Sequence, residues 1–491
     1  MKRYILSTAA LMISLAAWSQ NEYDALRYSQ QYIQGTSRSA AMGGAFGALG
    51  GDLSVLTINP AGMSIYGNGE MSITPVFGQT STQNRLGSQT MEDDKYSFRL
   101  SNFGYVAASD HSGNLTNLAF GITFNRMNDY CLNNRIQGIS TNGSMLDYWC
   151  ESANGNYYND LNAFGNKLAA STYAIEPVSD ESPTTWCNPH TQAYNGEGNF
   201  YGQTQNKSTT AKGGINSWDF ALSASFLDKF YIGASLALQT LNYKYNSQYA
   251  EDDKTDVVNY EHFDYEENLK TNGTGVNFKL GMIYKPINFL KFGAAIHTPT
   301  FYDLTDKYYS ALDITWDEYS DGSNTGSAVS DDNEFNYKLY SPFKTVLSGA
   351  FIIPNHGLIS MDYEYDNYSG MRFESGDDDY YAFTSENDAI KQKFQATHNF
   401  RFGAEYLLGI IRLRAGYAIY GNPVKEISDN IQRTIYSGGV GFQGDEWYLD
   451  IAATYHDYKT IEYLYKGNEY QRAYTVNNNY LYVMATLGLR F

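Results

Sequence analysis

Few side chains in this chain are arranged to do chemistry, and those that are point to ion pairing rather than catalysis. Arg401, Glu405, Arg412 and Arg414 flank the turn Leu408-Gly409. Extended chain on either side puts all four on one face, with Glu405 near Arg412 across the turn. Such a cluster locks an interior by ion pairs. Its sharper alternative is a site for a substrate carboxylate, which arginine grips with paired hydrogen bonds. Cys131, Cys150 and Cys187 all fall within 128–214. Their spacing is no metal signature and only His190 stands near, so an oxidising compartment allows one disulfide, with three pairings open and one thiol left over. His456 has no serine and acid at paired spacing, which leaves a hydrolase without its nucleophile. The acidic stretches Glu251–Glu267, Asp303–Asp332 and Asp362–Asp388 lack the spacing of a calcium loop and read as solvated loops. No metal, no cofactor and no enzymatic activity is expected.

The elements that hold these groups are announced by the two ends of the chain. Between Tyr480 and Phe491, Leu481, Val483, Ala485, Leu487, Leu489 and Phe491 form one apolar face, and Thr486, Gly488 and Arg490 lie on the other. A final strand that ends on an aromatic residue resembles the closing strand of bacterial outer-membrane β-barrels, because an open edge in lipid is too costly. At the other end Lys2-Arg3, the apolar run to Ala17 and the small-x-small site Ala17-Trp18-Ser19 make a cleaved secretory signal peptide over 1–19. Nothing later approaches the roughly 18 apolar residues of a membrane helix. The chain has 45 Tyr, 26 Phe and only 10 Pro among 491 residues, and no linker or repeat divides it. One barrel in the cell outer membrane fits this better than two or three soluble domains. The net charge of −19 argues against a nucleic-acid partner.

Strict alternation marks the strands. In 217–226, Trp218, Phe220, Leu222, Ala224 and Phe226 alternate with Ser217, Asp219, Ala221, Ser223 and Ser225. Strands are expected near 70–80, 96–108, 116–127, 215–227, 230–246, 273–285 and 290–302. They continue near 338–353, 357–370, 396–407, 410–420, 434–443, 446–459 and 479–491. Connections alternate between short turns, such as Asp228-Lys229 and Pro354–His356, and long ones at 81–95, 128–214, 247–272, 303–337, 371–395, 421–433 and 460–478. Short periplasmic turns and long outer loops are the asymmetry of a membrane barrel. The expected fold class is therefore all-β: a transmembrane antiparallel β-barrel of about 14 strands over 70–491, with 128–214 as a long extracellular loop and a short N-terminal hatch in its lumen.

Residues 20–69 supply that hatch, since they do not alternate. A helix is expected from Asn21, closed by Gly35. The run from Ala41 holds Gly43, Gly44, Gly47, Gly50 and Gly51, then Asp52, which caps a turn ending at Asn59-Pro60-Ala61 just before the first strand. It lacks the Gly-Lys-Ser/Thr ending of a phosphate loop, so its glycines read as close packing against the wall. This segment, placed before a barrel pattern of about fourteen strands, resembles the FadL/TodX family of outer-membrane transporters for hydrophobic compounds. The resemblance rests on about 25 residues of motif, with the architecture of the whole length behind it.

The resemblance implies a hatch that gates an inner pocket for a hydrophobic small molecule such as a long-chain fatty acid, an aromatic hydrocarbon or haem, with sideways exit through the barrel wall. A wall gap should disturb strand phase. Pro75 in the first strand, and Ser101 and Asn102 in the second, stand where Phe98 and Leu100 fall out of step with Phe103 and Tyr105. The third strand of this chain keeps phase, whereas the family's kink lies in its third strand. Expected partners are outer-membrane lipid, lipopolysaccharide and the barrel assembly machinery, with the barrel itself a monomer. Two other classes compete: a surface subunit of a protein secretion machine, which the large outer loops suit, and a barrel hydrolase, for which no catalytic set is present.

Overall fold

Each alternating segment pairs with its neighbour in sequence, and the last pairs with the first. The structure is a computed structural model that describes residues 21–491 except 33, 191–200, 254–257, 259, 317–323, 377–380, 426–431 and 468. The expected signal peptide lies outside the described residues. Its strands are β1 (Glu70–Leu86), β2 (Gln89–Asp110), β3 (Leu115–Asp129), β4 (Leu132–Ile139), a small separate hairpin β5 (Glu176–Pro177) and β6 (Trp186–Cys187), β7 (Thr204–Phe226), β8 (Phe230–Asp252), β9 (Tyr260–Ile287), β10 (Leu290–His297) and β11 (Phe301–Trp316). They continue as β12 (Thr325–Val329), β13 (Asn333–Tyr340), β14 (Lys344–Ile353), β15 (Gly357–Asn367), β16 (Arg372–Ser375), β17 (Ala396–Leu408), β18 (Ile411–Tyr420), β19 (Arg433–Gln443), β20 (Trp447–Lys466) and β21 (Gln471–Arg490). Pieces that follow one another along a line, such as β10 with β11 or β12 with β13 and β14, make single staves, and fourteen antiparallel staves close where β1 pairs with β21. The seam ends on the last residue: Phe491 and Gly69 exchange two backbone hydrogen bonds of 3.0 and 3.1 Å. Closure leaves no strand edge exposed along the seam.

The outer surface records where lipid begins and ends. On β9, Val276, Phe278, Leu280, Met282 and Tyr284 project outward and are exposed. On β8 the same level carries Phe230, Ile232, Leu236 and Leu238. Beyond Leu238 the outward positions become Thr240, Asn242 and Lys244, and beyond Val276 they become Thr274, Asn272 and Lys270. A tilted membrane strand needs about 9–11 residues, so strands of 23 and 28 residues in β8 and β9 run far past one side of an apolar belt. Six short turns and both ends of the described barrel gather at the opposite side.

This extension corrects several expected loops. Residues 81–95 form the top of a β1–β2 hairpin whose turn is made at Gly87, and much of 247–272, 303–337 and 460–478 is strand. The physical reason is a change of solvent. Above the belt the outward face meets water, so the apolar alternation that identifies membrane strands disappears although the ladder continues.

The lumen is filled in three storeys. At the short-turn side lies the hatch: α2 (Ser37–Ala41), α3 (Val55–Ile58) and a 3-10 helix Pro60–Ile65, packed through Phe46, Leu49, Leu53 and Leu56. Above it α1 (Glu22–Ser29) docks among Tyr130, Tyr243, Tyr302 and Tyr337, beside the helix Thr384–Lys393. The mouth is covered by a cap built on α4 (Met145–Ala153) and α5 (Asn166–Ser171), whose Leu146, Trp149 and Leu168 pack on Tyr249, Phe263 and Trp316 of the raised wall. Helix α1 is shorter than expected because residues after Ser29 turn to the wall instead: the Tyr32 N–H donates to the Met127 carbonyl at 2.8 Å.

The belt makes a direct test. Leu280→Arg, at mid-belt, should cost about 2–4 kcal/mol of barrel stability, whereas Thr240→Arg, one rung above it, should cost about 0–1. Heat-modifiable migration and urea unfolding of the two variants should separate them; equal stability would remove the belt.

Candidate functional site

A closed sheet is weakest where neighbouring strands stop pairing, and one such place begins in the upper part of the belt and runs up the raised wall. β2 pairs with β1 along its whole length but with β3 only over Asn102–Asp110. From Gln89 to Ser101 it has no ladder to β3, whose continuation β4 pairs only with β7. At the corner of the break the register of β1 and β2 slips: Thr74 faces Asn102, Pro75 faces Leu100, and Ser101 has no opposite residue. Pro75, which cannot donate to a ladder, sits at the slip. Phe98 and Tyr96 lie outward along the unpaired stretch, and at 78% Phe98 is the most exposed large apolar side chain described.

Side chains, not backbone, hold the break together. Arg99 of β2 pairs with Asp129 at the end of β3 at 2.6 Å, and Arg126 meets the same carboxylate at 3.3 Å. Lys95 donates to the Leu132 and Ala211 carbonyls at 3.1 and 2.9 Å. From inside, the hatch lead-in lies across the gap. Ser101 donates to the Gly35 carbonyl at 2.8 Å and Asn128 donates to the Gln30 carbonyl at 2.9 Å, while on the far side of β1 the Ser37 N–H donates to Thr486 of β21 at 2.7 Å. Asn102 closes the lower corner by donating to Asn125 at 2.7 Å. Pro75, Ser101 and Asn102 are thus brought together at one break, with Gly35 directly behind.

The glycine-rich hatch is pressed on the opposite wall. Gly43 has φ +64°, and a side chain there would meet the β17 and β18 backbone at 3.0 Å. Gly50, at φ +68°, would collide with Gly62 and Ile65. Gly44 lies against the Arg401 stem, Gly47 against Ser348 and Asp362, and the Gly51 carbonyl accepts from Arg38 at 3.1 Å. Asp52 accepts from Thr36 and from the Ser54 N–H, but the N-cap of α3 is Ser54, which makes no side-chain cap, so the expected capping by Asp52 is replaced by a turn one step earlier. Asn59 does three tasks: it donates to the Gly47 carbonyl at 2.6 Å and to the Met282 carbonyl of β9 at 3.1 Å, and it caps Ala61. Pro60 opens the 3-10 helix. The wall answers in kind. Asp362 accepts the Phe46 and Gly47 N–H groups, Lys291 donates to the Leu49 carbonyl at 3.0 Å, and the His297 ring contacts the Ile58 carbonyl at 2.9 Å.

The charged cluster divides in two. Glu405 pairs with Arg414 at 2.6 Å and with Arg38 of the hatch at 3.1 Å, while Arg414 also reaches Asp450 at 2.5 Å. Arg401 belongs to a separate set with Glu364 at 3.0 Å and Asp362 at 3.4 Å. Arg412 is in neither. The register places Glu405 opposite Arg414, and Arg412 turns to the Gly409 and Ile411 carbonyls and Gln443 at the rim. The alternating pattern identified the face but could not fix the register across the turn. The cysteines are free thiols. Cys131 lies between β3 and β4 on the wall, whereas Cys150 and Cys187 share the cap, where the Cys187 thiol donates to the Glu176 carbonyl and burial pushes the Cys150 thiol well up. The expected bridge is not formed. His456 sits beside Thr454 and Tyr482 with no acid partner among the described residues.

Sequence reasoning missed the wall's contribution. Gly281, Gly233, Gly293, Gly403 and Gly416 face inward, and a side chain on any of them would strike hatch backbone or Asn59 at 1.9–2.6 Å. The signal was present as glycines at inward-phase positions of separate strands. Their partners, however, are far away in sequence.

No family model matches the chain, and no curated protein matches it. Solved structures do. The chain is similar to the Pseudomonas putida toluene transporter TodX at 13% identity, covering 94% of this chain and 99% of that one with a TM-score of 0.53. It is similar to a Pseudomonas aeruginosa FadL homologue at 12% identity, 93% and 98% coverage and a TM-score of 0.53, and to the Ralstonia pickettii toluene transporter TbuX at 14%, 94%, 99% and 0.50. The expected FadL-type barrel is therefore the fold this chain has.

Two substitutions test the wedge between hatch and wall. Gly281→Val, whose first added carbon would fall 1.9 Å from the Asn59 Oδ1, should displace Asn59 while the barrel still assembles. Asn59→Ala should remove the same bonds at a cost of about 1–3 kcal/mol. Both should raise amide exchange across 47–61. Unchanged exchange in Gly281→Val would show that the hatch is not seated by that contact. Arg38→Met should leave Glu405 with a single cationic partner and loosen residues 36–52 without unfolding the barrel, as read by limited proteolysis.

Proposed function

We propose that this chain is an outer-membrane passive transporter for hydrophobic small molecules, in which the N-terminal hatch gates a pathway that leaves sideways through the wall between β2 and β3. One observation carries the reading: the ladder break above Asn102 has the hatch lead-in bound to both of its sides, the Gly35 carbonyl to Ser101 of β2 and the Gln30 carbonyl to Asn128 of β3. In this reading the short-turn side faces the periplasm and the raised, capped side faces out.

The chemistry suits such a route. A hydrophobe gains roughly 0.8 kcal/mol per CH₂ on leaving water, so a path from cap to lipid must stay dry. The three apolar storeys line that path, and the tyrosine-rich middle one offers faces to aromatic and aliphatic solutes alike. The lower end of the break lies level with Phe98 and Phe77, at the top of the belt, so a solute leaving there enters hydrocarbon directly. Delivery to the periplasm would return it to water. Because the described lumen is filled, passage requires the lead-in around Gly35 to leave the break, giving up the bonds of the Gly35 and Gln30 carbonyls to Ser101 and Asn128 and the contacts of the Tyr32 ring with Tyr420 and Arg433. TodX and TbuX are toluene transporters by name, and we extend that class of cargo to this chain, together with long-chain fatty acids.

A reversible tether tests the gate. Ser37→Cys with Thr486→Cys, whose side chains now hydrogen-bond at 2.9 Å, should form a disulfide in a background where Cys131, Cys150 and Cys187 are serine. Oxidised, it should reduce uptake of labelled toluene and of a labelled fatty acid at least tenfold, and reductant should restore both. Complete cross-linking with unchanged uptake would mean that this segment is not the gate.

A further inference from the structure

Above the belt the raised wall carries a feature that transport does not use. Lys212, Lys244, Lys270 and Lys307 stand on four adjacent strands, and the register sets them directly opposite one another: Lys212 with Lys244, Lys244 with Lys270, and Lys270 with Lys307. All four point outward and are exposed. Lys307 meets Glu334 at 2.7 Å at the end of the row, while among the described residues the other three have no ion pair. Like charges directly opposite on a sheet destabilise it. A chain with a net charge of −19 has carboxylates enough to break such a row, yet the rungs on either side carry Asn242, Asn272, Thr305, Asn246, Asn268 and Tyr309 instead.

Between the lysines and the belt, β8, β9, β11 and β13 form a notch of about 530 Å³, lined by Leu241, Asn272, Gly273, Thr274, Asp303, Thr305 and Asn336. Thr305 donates to Asn336 at 2.6 Å and Asn242 donates to Asn272, which holds the amides in a ladder. We infer that this face binds a phosphate-bearing glycolipid of the outer leaflet, with acyl chains on the belt, sugar in the amide-lined notch and phosphate at the lysine row. The geometry separates this occupant from an ordinary phospholipid. Counting up from Leu238 and Val276, the lysines stand on the order of 15 Å above the last apolar rung, whereas a phospholipid headgroup layer is only ~5–8 Å deep. A sugar headgroup spans the difference, and carboxamides and hydroxyls are the groups that hydrogen-bond sugar. Strands about 4.8 Å apart make the row roughly 15 Å wide, enough for more than one phosphate.

The inference rests on the membrane placement proposed above but not on transport. The test uses the full barrel in detergent micelles, with native mass spectrometry counting bound lipid. The probes are lipid A, lipid A after phosphatase treatment, and phosphatidylglycerol. Wild type should retain lipid A, and K212Q/K244Q/K270Q should retain at least tenfold less at equal, heat-modifiable folding. K229Q/K285Q, at the short-turn side, should behave as wild type. Phosphatase treatment should lower retention by the wild type about as much as the triple substitution does, and phosphatidylglycerol should bind no better than treated lipid A. Equal retention by the triple variant, or equal binding of treated lipid A or of phosphatidylglycerol, would overturn the site. Hydrophobe uptake should be unchanged in the triple variant, so failure of uptake in wild type with lipid A retained would count against transport and leave the lysine site standing.

Discussion

An irregular chain inside a barrel has to find hydrogen-bond partners for nearly every peptide group it buries, and most of this structure follows from that requirement. Residues 35–66 have little helix and no sheet of their own, so their N–H and carbonyl groups turn to the wall. Ser101, Asn117, Ser223, Lys291, His297, Asp362, Ser437 and Thr486 each supply one partner or more. A lumen lined this way is polar by position, and part of its donors and acceptors are taken up by the hatch. The inward glycines serve the same end by letting backbone approach backbone.

The same requirement explains why the wall can afford a break. Along the upper part of β2, ladder bonds to a neighbour are replaced by Arg99, Lys95 and Ser101 acting as side-chain partners for β3, β4 and the hatch. Ladder bonds form one cooperative set, whereas these contacts are separate and can be exchanged one at a time. Local opening is cheapest where backbone pairing is thinnest. A gate placed there does not threaten closure of the sheet, which is secured across the seam of β1 and β21 and by the long pairings of β7, β8 and β9.

One strand here crosses two solvents, and the same two-residue alternation means different things in each. Within the belt, outward means lipid and selects Val, Leu, Phe, Met and Tyr. Above it, outward means water or headgroup and selects Thr, Asn and Lys. The inward face changes as well, from serines, glycines and charges that serve the hatch to the aromatic residues that pack against α1 and the cap. The raised wall is therefore as regular as the membrane wall, but its pattern is invisible to any reading keyed to apolar residues.

What the sequence determined by itself was everything that depends on local alternation and on chain ends: the barrel class, the strands within the belt, the six short turns, the final Phe491 as part of the seam, and the slip at Pro75 and Ser101. Each of these is a consequence of solvent acting on consecutive residues. Tertiary structure alone decided register and partnership. It set Glu405 against Arg414 and Arg38 rather than Arg412, left the three cysteines as thiols, turned expected loops into raised strands, and brought Gly281 to Asn59. A one-step change of register moves a side chain about 3.3 Å and to the other face, while leaving the alternation along each strand unchanged. Contacts between residues hundreds of positions apart depend on that step, and only the closed barrel fixes it.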